Sequence, residues 1–338
     1  MNLLLSMALA LPASAQDVVN GSEESEFPAA VALGAEIGAY TLSACSGSLI
    51  TPEVILTAAH CGGDIPLEMV LEVGVAFFGG NIETADQVVG FSDLYVHPDY
   101  EELESGGAPG ADYWDNLGKN DIALLVLAEP VDVPPVWFRT DSLVGEAEGE
   151  TVTSVGFGVT SSAGAGSGVK RSASLEVDTL TDMFLVSYSN TNPDSANVCS
   201  GDSGGPQYHF DGEKWTQWSV HSWADQSCTT MSGSTRTDVV SEWILGELEG
   251  IYGTRDRCEM WDVYGDGNCD EDCDEPDPDC VVADGEDTGG ADGDVDTGSE
   301  SEDKAGCTCS ASSAGGTGGF VLAALALVGW RWRRDQVL

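Results

Sequence analysis

The chain has 338 residues, with 58 acidic side chains against 12 basic ones and a formal charge of −46. Such a surface repels nucleic acid and anionic lipid, so nucleic acid is not an expected partner. Acidic residues outnumber basic ones 36 to 6 between positions 18 and 250, so self-repulsion runs through the folded part and suits saline or calcium-containing surroundings.

Residues 1–15 are apolar and end in Ala13-Ser14-Ala15, the small-residue cleavage pattern of a signal peptide, although the usual basic opening is missing. Cleavage there leaves Gln16 and Asp17 as a pro-dipeptide ahead of Val18. Between 18 and 250, β-branched and aromatic runs at 70–78, 122–127, 151–155 and 215–220 alternate with Gly, Asp and Ser clusters. This spacing predicts an all-β barrel or sandwich rather than βαβ units. A terminal helix is predicted from 241–248, with Trp243 and Ile244 facing the core. An acidic, Gly-rich insertion at 101–119 reads as a surface loop, or alternatively as a lid.

Residues 251–280 carry Cys258, Cys269, Cys273 and Cys280 among many aspartates. A segment this small needs staples, and ten cysteines behind a signal peptide imply an oxidising compartment. Two disulfides are the first reading. The Asp-rich run at 266–280 loosely resembles calcium-binding repeats, including the Notch-type module, so calcium is the second reading. Zinc on four thiols suits an oxidising compartment least. Residues 281–305 hold almost nothing apolar and read as a disordered acidic linker. Residues 306–338 contain Cys307 and Cys309, an apolar run at 320–330, and Arg331, Arg333 and Arg334. The apolar run is short for a full span, but the arginines would hold it on the cytoplasmic side. This tail resembles a bacterial C-terminal sorting signal of the Cys-motif, myxosortase-processed (MYXO-CTERM-like) kind. The alternative is a simple tail anchor.

Three motifs carry chemistry. Residues 199–206 read Cys-Ser-Gly-Asp-Ser-Gly-Gly-Pro, a turn that brings Ser203 Oγ and nearby N–H groups to one place. Upstream, Thr57, Ala58, Ala59, His60 and Cys61 supply an imidazole, and Asn120 and Asp121 precede an apolar run. A serine hydroxyl needs a base to become a nucleophile, and histidine is the side chain suited to that near neutral pH. An aspartate would fix the imidazole tautomer and stabilise the imidazolium.

In this order the three motifs resemble the trypsin/chymotrypsin family of serine proteases, over residues 18 to about 250. The resemblance implies two six-stranded antiparallel β-barrels with the site between them and a C-terminal helix. The small Cys/Asp-rich segment, linker and apolar tail would follow. His60, Asp121 and Ser203 would be catalytic, with the N–H groups of Gly201 and Ser203 as oxyanion hole and no cofactor or metal needed for catalysis. By the same resemblance Cys45 pairs with Cys61 and Cys199 with Cys228. The free amino group of Val18 would pair with Asp202, and 155–158 matches a Gly-Trp-Gly turn with Phe157 in place of tryptophan.

For substrate binding the resemblance marks Asn197, Ser222, Trp223, Ala224 and Gly233. Asn197 stands where trypsins carry aspartate, so cleavage is expected after neutral, small-to-medium residues rather than Lys or Arg. The expected protein is a monomeric serine endopeptidase acting on proteins or peptides. It would be exported across the inner membrane and displayed at a bacterial cell surface or released after a sorting protease cuts the tail. The alternative is a catalytically idle protease-like module for surface binding or adhesion.

Overall fold

The computed structural model describes residues 21–280 except 39, 102–118, 162, 190–195 and 271–272. The expected signal peptide and pro-dipeptide, Val18, nearly all of the 101–119 insertion, and the expected linker and tail therefore lie outside the described residues.

The first half holds strands β2 (Ala30–Ile37), β3 (Tyr40–Thr51), β4 (Val54–Thr57), β5 (Gly74–Phe78), β6 (Gln87–Val96) and β7 (Ala123–Leu127), after a two-residue β1 (Ser22–Glu23). They close as a barrel in the order β2-β3-β4-β7-β6-β5, antiparallel throughout. All four residues of β4 are apolar or buried because the strand is covered on both faces. Ile55 points to the barrel core with Leu49, Phe91 and Leu125, while Val54 and Leu56 pack outward against Ile122, Ile244 and Leu248. A doubly covered strand reads as a continuous apolar run, not an alternating one.

The second half holds β8 (Thr151–Gly156), β9 (Arg171–Glu176), β10 (Thr179–Leu180), β11 (Phe184–Tyr188), β12 (Pro206–Phe210), β13 (Trp215–Ala224) and β14 (Met231–Arg236). With β1 they form an eight-stranded sheet ordered β1-β9-β8-β12-β13-β14-β11-β10. The all-β, trypsin-like expectation holds, with one closed six-stranded barrel and one large sheet. No hydrogen-bonded ladder joins β9 to β11 among the described residues. Past β9, Val177 N–H bonds to Glu150 O and Asp178 N–H to Val186 O of β11, where the short β10 takes up pairing with β11. The sheet nevertheless wraps one core, since Leu175 of β9 and Leu185 of β11 share a cluster with Val152 and Trp218.

Two boundaries differ from the sequence reading. The stretch 70–78 is not one strand: Leu67–Val73 form helix α1, and β5 begins at Gly74. Val70 and Leu71 turn inward while Glu68 and Glu72 face solvent, a helical spacing that the β-branched residues disguise. The terminal helix α2 spans Thr237–Tyr252 and starts four residues ahead of the predicted 241. Its first turn is held by polar contacts that leave no apolar period. Arg236 Nη2 pairs with Asp238 Oδ2 at 2.5 Å, Asp238 Oδ2 accepts Leu143 N–H, and Thr237 Oγ1 donates to Trp218 O. Ile244 is fully buried as expected, and Trp243 is half-buried, tilted against His97.

The Cys/Asp-rich segment is stapled by Cys258–Cys273 and Cys269–Cys280. Its helix α3 (Arg257–Trp261) packs into the core formed by β3, β4 and α2. Met260 is buried among Ile50, Val54 and Leu248, Trp261 Nε1 donates to Ile50 O at 2.8 Å, and the Arg257 guanidinium lies 5.0 Å over the Trp261 ring. Asp256 caps the helix by accepting Cys258 N–H. Asp277, 2% exposed, accepts the N–H groups of Asp270 and Asp279, which hold its carboxyl below the ordinary range, and Asp279 accepts Gly267 N–H. These carboxylates fold the segment through its own backbone. Met260→Ala should lower unfolding free energy by about 2–5 kcal/mol. Chemical denaturation checks this, and a loss below about 1 kcal/mol would show α3 to be an ornament.

Candidate active site

The antiparallel register of β4 with β7 sets Thr57 opposite Ala123, so the chain leaving β4 meets the chain entering β7. His60 sits on the short 3-10 turn Ala59–Cys61 just after β4, and Asp121 just before β7. Asp121 Oδ1 accepts His60 N–H at 3.0 Å, and Asp121 Oδ2 lies 2.8 Å from His60 Nδ1. A third donor comes from the second half of the protein, Ser222 Oγ on β13, at 2.6 Å from Oδ2. Asp121 is 1% exposed. Burial alone would push its carboxyl up, but the His60 charge and these hydrogen bonds hold it below the usual carboxylate range. Burial also works to lower the His60 pKa, yet the Asp121 carboxylate prevails and holds it above the ordinary histidine value. His60 lies close to both sulfurs of Cys45 and Cys61, but these are joined in a disulfide and offer no metal site.

Ser203 lies on the turn between Cys199 and β12. Ser203 O accepts Ser46 N–H from β3, Gly204 N–H donates to His221 O, and His221 N–H donates to Gly205 O. The turn is thus sewn to both halves of the protein. Gly204 has φ +80°, and a Cβ there would stand 2.1 Å from Thr57 Oγ1. Only glycine lets the serine turn lie against the end of β4, three residues before His60. Cys199 is bonded to Cys228, which anchors the start of the turn.

Asp202, next to Ser203, is 1% exposed. Its Oδ1 accepts Gly158 N–H and its Oδ2 accepts Cys199 N–H, both at 2.8 Å. Burial outweighs these bonds and the more distant Arg171 charge, and pushes its pKa up to about 6. A Cβ on Gly156 would fall 2.2 Å from its carboxylate, which accounts for the Gly-Phe-Gly turn. Phe157 itself is buried with Ala32 and Phe77.

Of the predicted substrate-binding residues, Asn197 is fully buried, with Oδ1 accepting Val198 N–H and Nδ2 without a partner among the described residues. Ser222, Trp223 and Ala224 end β13, as the sequence placed them. A bulge between His221 and Trp223 shifts the pairing with β14, so Ala224 faces Ser232 and Gly233 faces Trp223. A Cβ on Gly233 would meet the Trp223 indole at 2.3 Å, so Gly233 seats that ring.

Three residues here drew no notice in the sequence. Ser46 holds the serine turn through its backbone and its hydroxyl. His221 is buried against Ser234 Oγ, and burial drives its pKa down to about 3, so it is neutral. Asp225 gathers the loop around Cys228, its Oδ1 accepting the N–H groups of Thr229, Thr230 and Met231. None lies in a motif; serines and aspartates acting through local backbone bonds look like turn residues.

The trypsin family model matches residues 18–244. The chain is 27% identical over 173 residues to a trypsin of Saccharopolyspora erythraea, covering 48% of this chain and 69% of that protein. It is 29% identical over 199 residues to a trypsin-like protease of Streptomyces glaucescens, covering 54% and 65%. Against a mouse tryptase it is 30% identical over 141 residues, covering 39% and 44%. The chain thus spans less than two thirds of the last two relatives. With the family model covering two thirds of its length, this chain belongs to the trypsin family of serine endopeptidases.

Proposed function

We propose that the chain hydrolyses peptide bonds through an acyl-enzyme cycle run by Ser203, His60 and Asp121. The observation that carries this reading is the His60 Nδ1–Asp121 Oδ2 pair at 2.8 Å, beside a serine turn that only glycine lets approach. Asp121 holds the Nδ1–H tautomer, which leaves Nε2 free to accept the Ser203 proton as Oγ attacks the carbonyl carbon. The N–H groups of Gly201 and Ser203 receive the oxyanion. As the C–N bond breaks, Nε2 passes that proton to the leaving amine. Water then attacks the ester with the same base, which releases the acid and restores Ser203.

The mature form begins at Val18, whose amino group pairs with Asp202; a fully buried carboxylate next to Ser203, held by two backbone N–H donors, is the support for this. Export by residues 1–15 and retention or release through 306–338 complete the reading: a secreted or surface-displayed enzyme. Among the described residues no helix is long and apolar enough to cross a membrane. For the residue before the cut bond, uncharged Asn197 favours neutral, small-to-medium side chains.

A fluorophosphonate probe should label the wild-type protein and not Ser203→Ala. The labelled enzyme should cleave alanyl chromogenic peptides at least about tenfold better than arginyl ones. Failure to label would favour an idle binding module, and preferred arginyl cleavage would refute the pocket assignment.

A further inference from the structure

Ser46 lies in β3, on the half of the protein opposite the serine turn, and is 1% exposed. All of its polar atoms are engaged around the reacting groups. Its N–H donates to Ser203 O at 2.8 Å, and its carbonyl accepts Thr57 Oγ1–H at 2.9 Å. Its hydroxyl donates to Gly201 O at 2.8 Å and accepts Phe157 N–H at 3.0 Å. The other end of the same Gly201–Asp202 peptide is also tied, since Asp202 N–H donates to Cys199 O at 3.0 Å.

That peptide stands between the two that carry the Gly201 and Ser203 N–H groups. Gly201, at φ +94°, has no side chain to limit its torsions. With its carbonyl and the following N–H both fixed, the plane of the intervening peptide cannot turn. The angle between the two flanking donors is then set before substrate arrives, which is what an oxyanion site requires. Ser46 also ties the Phe157 turn, next to the Gly158 N–H that holds Asp202, to the same point.

We propose that the Ser46 hydroxyl is a positioning group for the oxyanion hole, aligning the Gly201 and Ser203 N–H groups from the opposite half of the protein. The proposal rests on the hydrolytic role of Ser203 and predicts an effect confined to the transition state. Ser46→Ala leaves the Gly201 carbonyl and the Phe157 N–H without their partner.

The test compares wild type, Ser46→Ala and Ser46→Thr with one good peptide substrate, a peptidyl aldehyde that forms a tetrahedral adduct on Ser203, and the product peptide as a ground-state ligand. For Ser46→Ala, kcat should fall about 10- to 100-fold with KM within about threefold. Aldehyde affinity should fall in parallel, and product-peptide affinity should stay within about threefold. Ser46→Thr keeps the hydroxyl and should hold kcat within about threefold of wild type, which provides the test if the alanine variant does not fold. Equal losses of aldehyde and product binding would make Ser46 a packing residue and overturn the proposal. So would an unchanged kcat in Ser46→Ala, or a loss in Ser46→Thr as large as that in alanine. A wild-type protein that ignores both fluorophosphonate and aldehyde would sink the hydrolytic reading and this proposal together, whereas an active wild type with an indifferent Ser46 would sink this one alone.

Discussion

Asp121→Asn should lower kcat by about four orders of magnitude while leaving KM within about threefold. The reason lies in the three donors that converge on this carboxylate, His60 N–H on Oδ1 and both His60 Nδ1 and Ser222 Oγ on Oδ2. An asparagine must turn its NH₂ toward one side of that cluster. Either it breaks the bond that holds the 3-10 turn, or it forces the imidazole to carry its proton on Nε2, where it cannot receive the one from Ser203. The pH profile gives an independent reading. His60 is held above its ordinary value of 6.5 because Asp121 outweighs the burial that would lower it. The active base is neutral imidazole, so the acid limb of kcat/KM should lie above 6.5 in wild type. It should move to lower pH in Asp121→Asn, where only the weaker Asp64 charge still opposes burial. Pre-steady-state and pH-rate measurements check both points; a kcat within tenfold of wild type, or an acid limb that stays put, would remove Asp121 from the reaction.

A form retaining Gln16 and Asp17 ahead of Val18 should hydrolyse peptides roughly 100- to 1000-fold more slowly than one beginning at Val18. Asp202 sits beside Ser203, buried, with its pKa pushed up to about 6 by that burial. Leaving such a charge unpaired costs about 3–5 kcal/mol, and the lower part of that range is two to three decades in an equilibrium that includes the serine turn. The linkage has a definite sign. A carboxyl whose folded pKa is raised stabilises the fold at pH below its ordinary 3.8 and loses that contribution as pH rises through about 6. The extended form should therefore lose thermal stability between about pH 4 and 7. The form with a free Val18 ammonium should keep its stability up to about pH 8, the ordinary α-amino value, and lose it above that as the paired amine deprotonates. Melting curves and activities of the two forms, with termini fixed by mass spectrometry, decide the matter. Equal activity in both would exclude the switch.

How much of this was legible in the sequence follows from what each residue leans on. The motifs around His60, Asp121 and Ser203 are compact runs, and a compact run is visible without a fold. The all-β reading was visible because the runs at 122–127, 151–155 and 215–220 are short, β-branched or aromatic, and set apart by Gly, Asp and Ser clusters. Helix α1 was hidden since Val70 and Val73 run on into Val75 of β5 and read as one strand, although Val70 and Leu71 turn inward and Glu68 and Glu72 outward at a helical spacing. The start of α2 was hidden because an ion pair and a threonine hydroxyl define it. Pairing of the four late cysteines depends on how α3 seats, and spacing alone leaves it open. Ser46 and His221 owe their places to strand register in β3 and at the bulge in β13, and register is not written in any short window.

The late disulfides also bear on how the molecule would carry a load. The loops closed by Cys258–Cys273 and Cys269–Cys280 overlap, so neither can be drawn out without the other. Tension entering at Cys280 passes through sulfur to Cys269, along a few residues to Cys273, and through sulfur again to Cys258. It arrives at the first turn of α3, where Met260 and Trp261 are seated like a plug in the outer wall of the barrel. Withdrawal would require that plug to leave in one step rather than by unzipping, and the strain is delivered at Ile50, away from the ends of β4 and β7 where His60 and Asp121 meet.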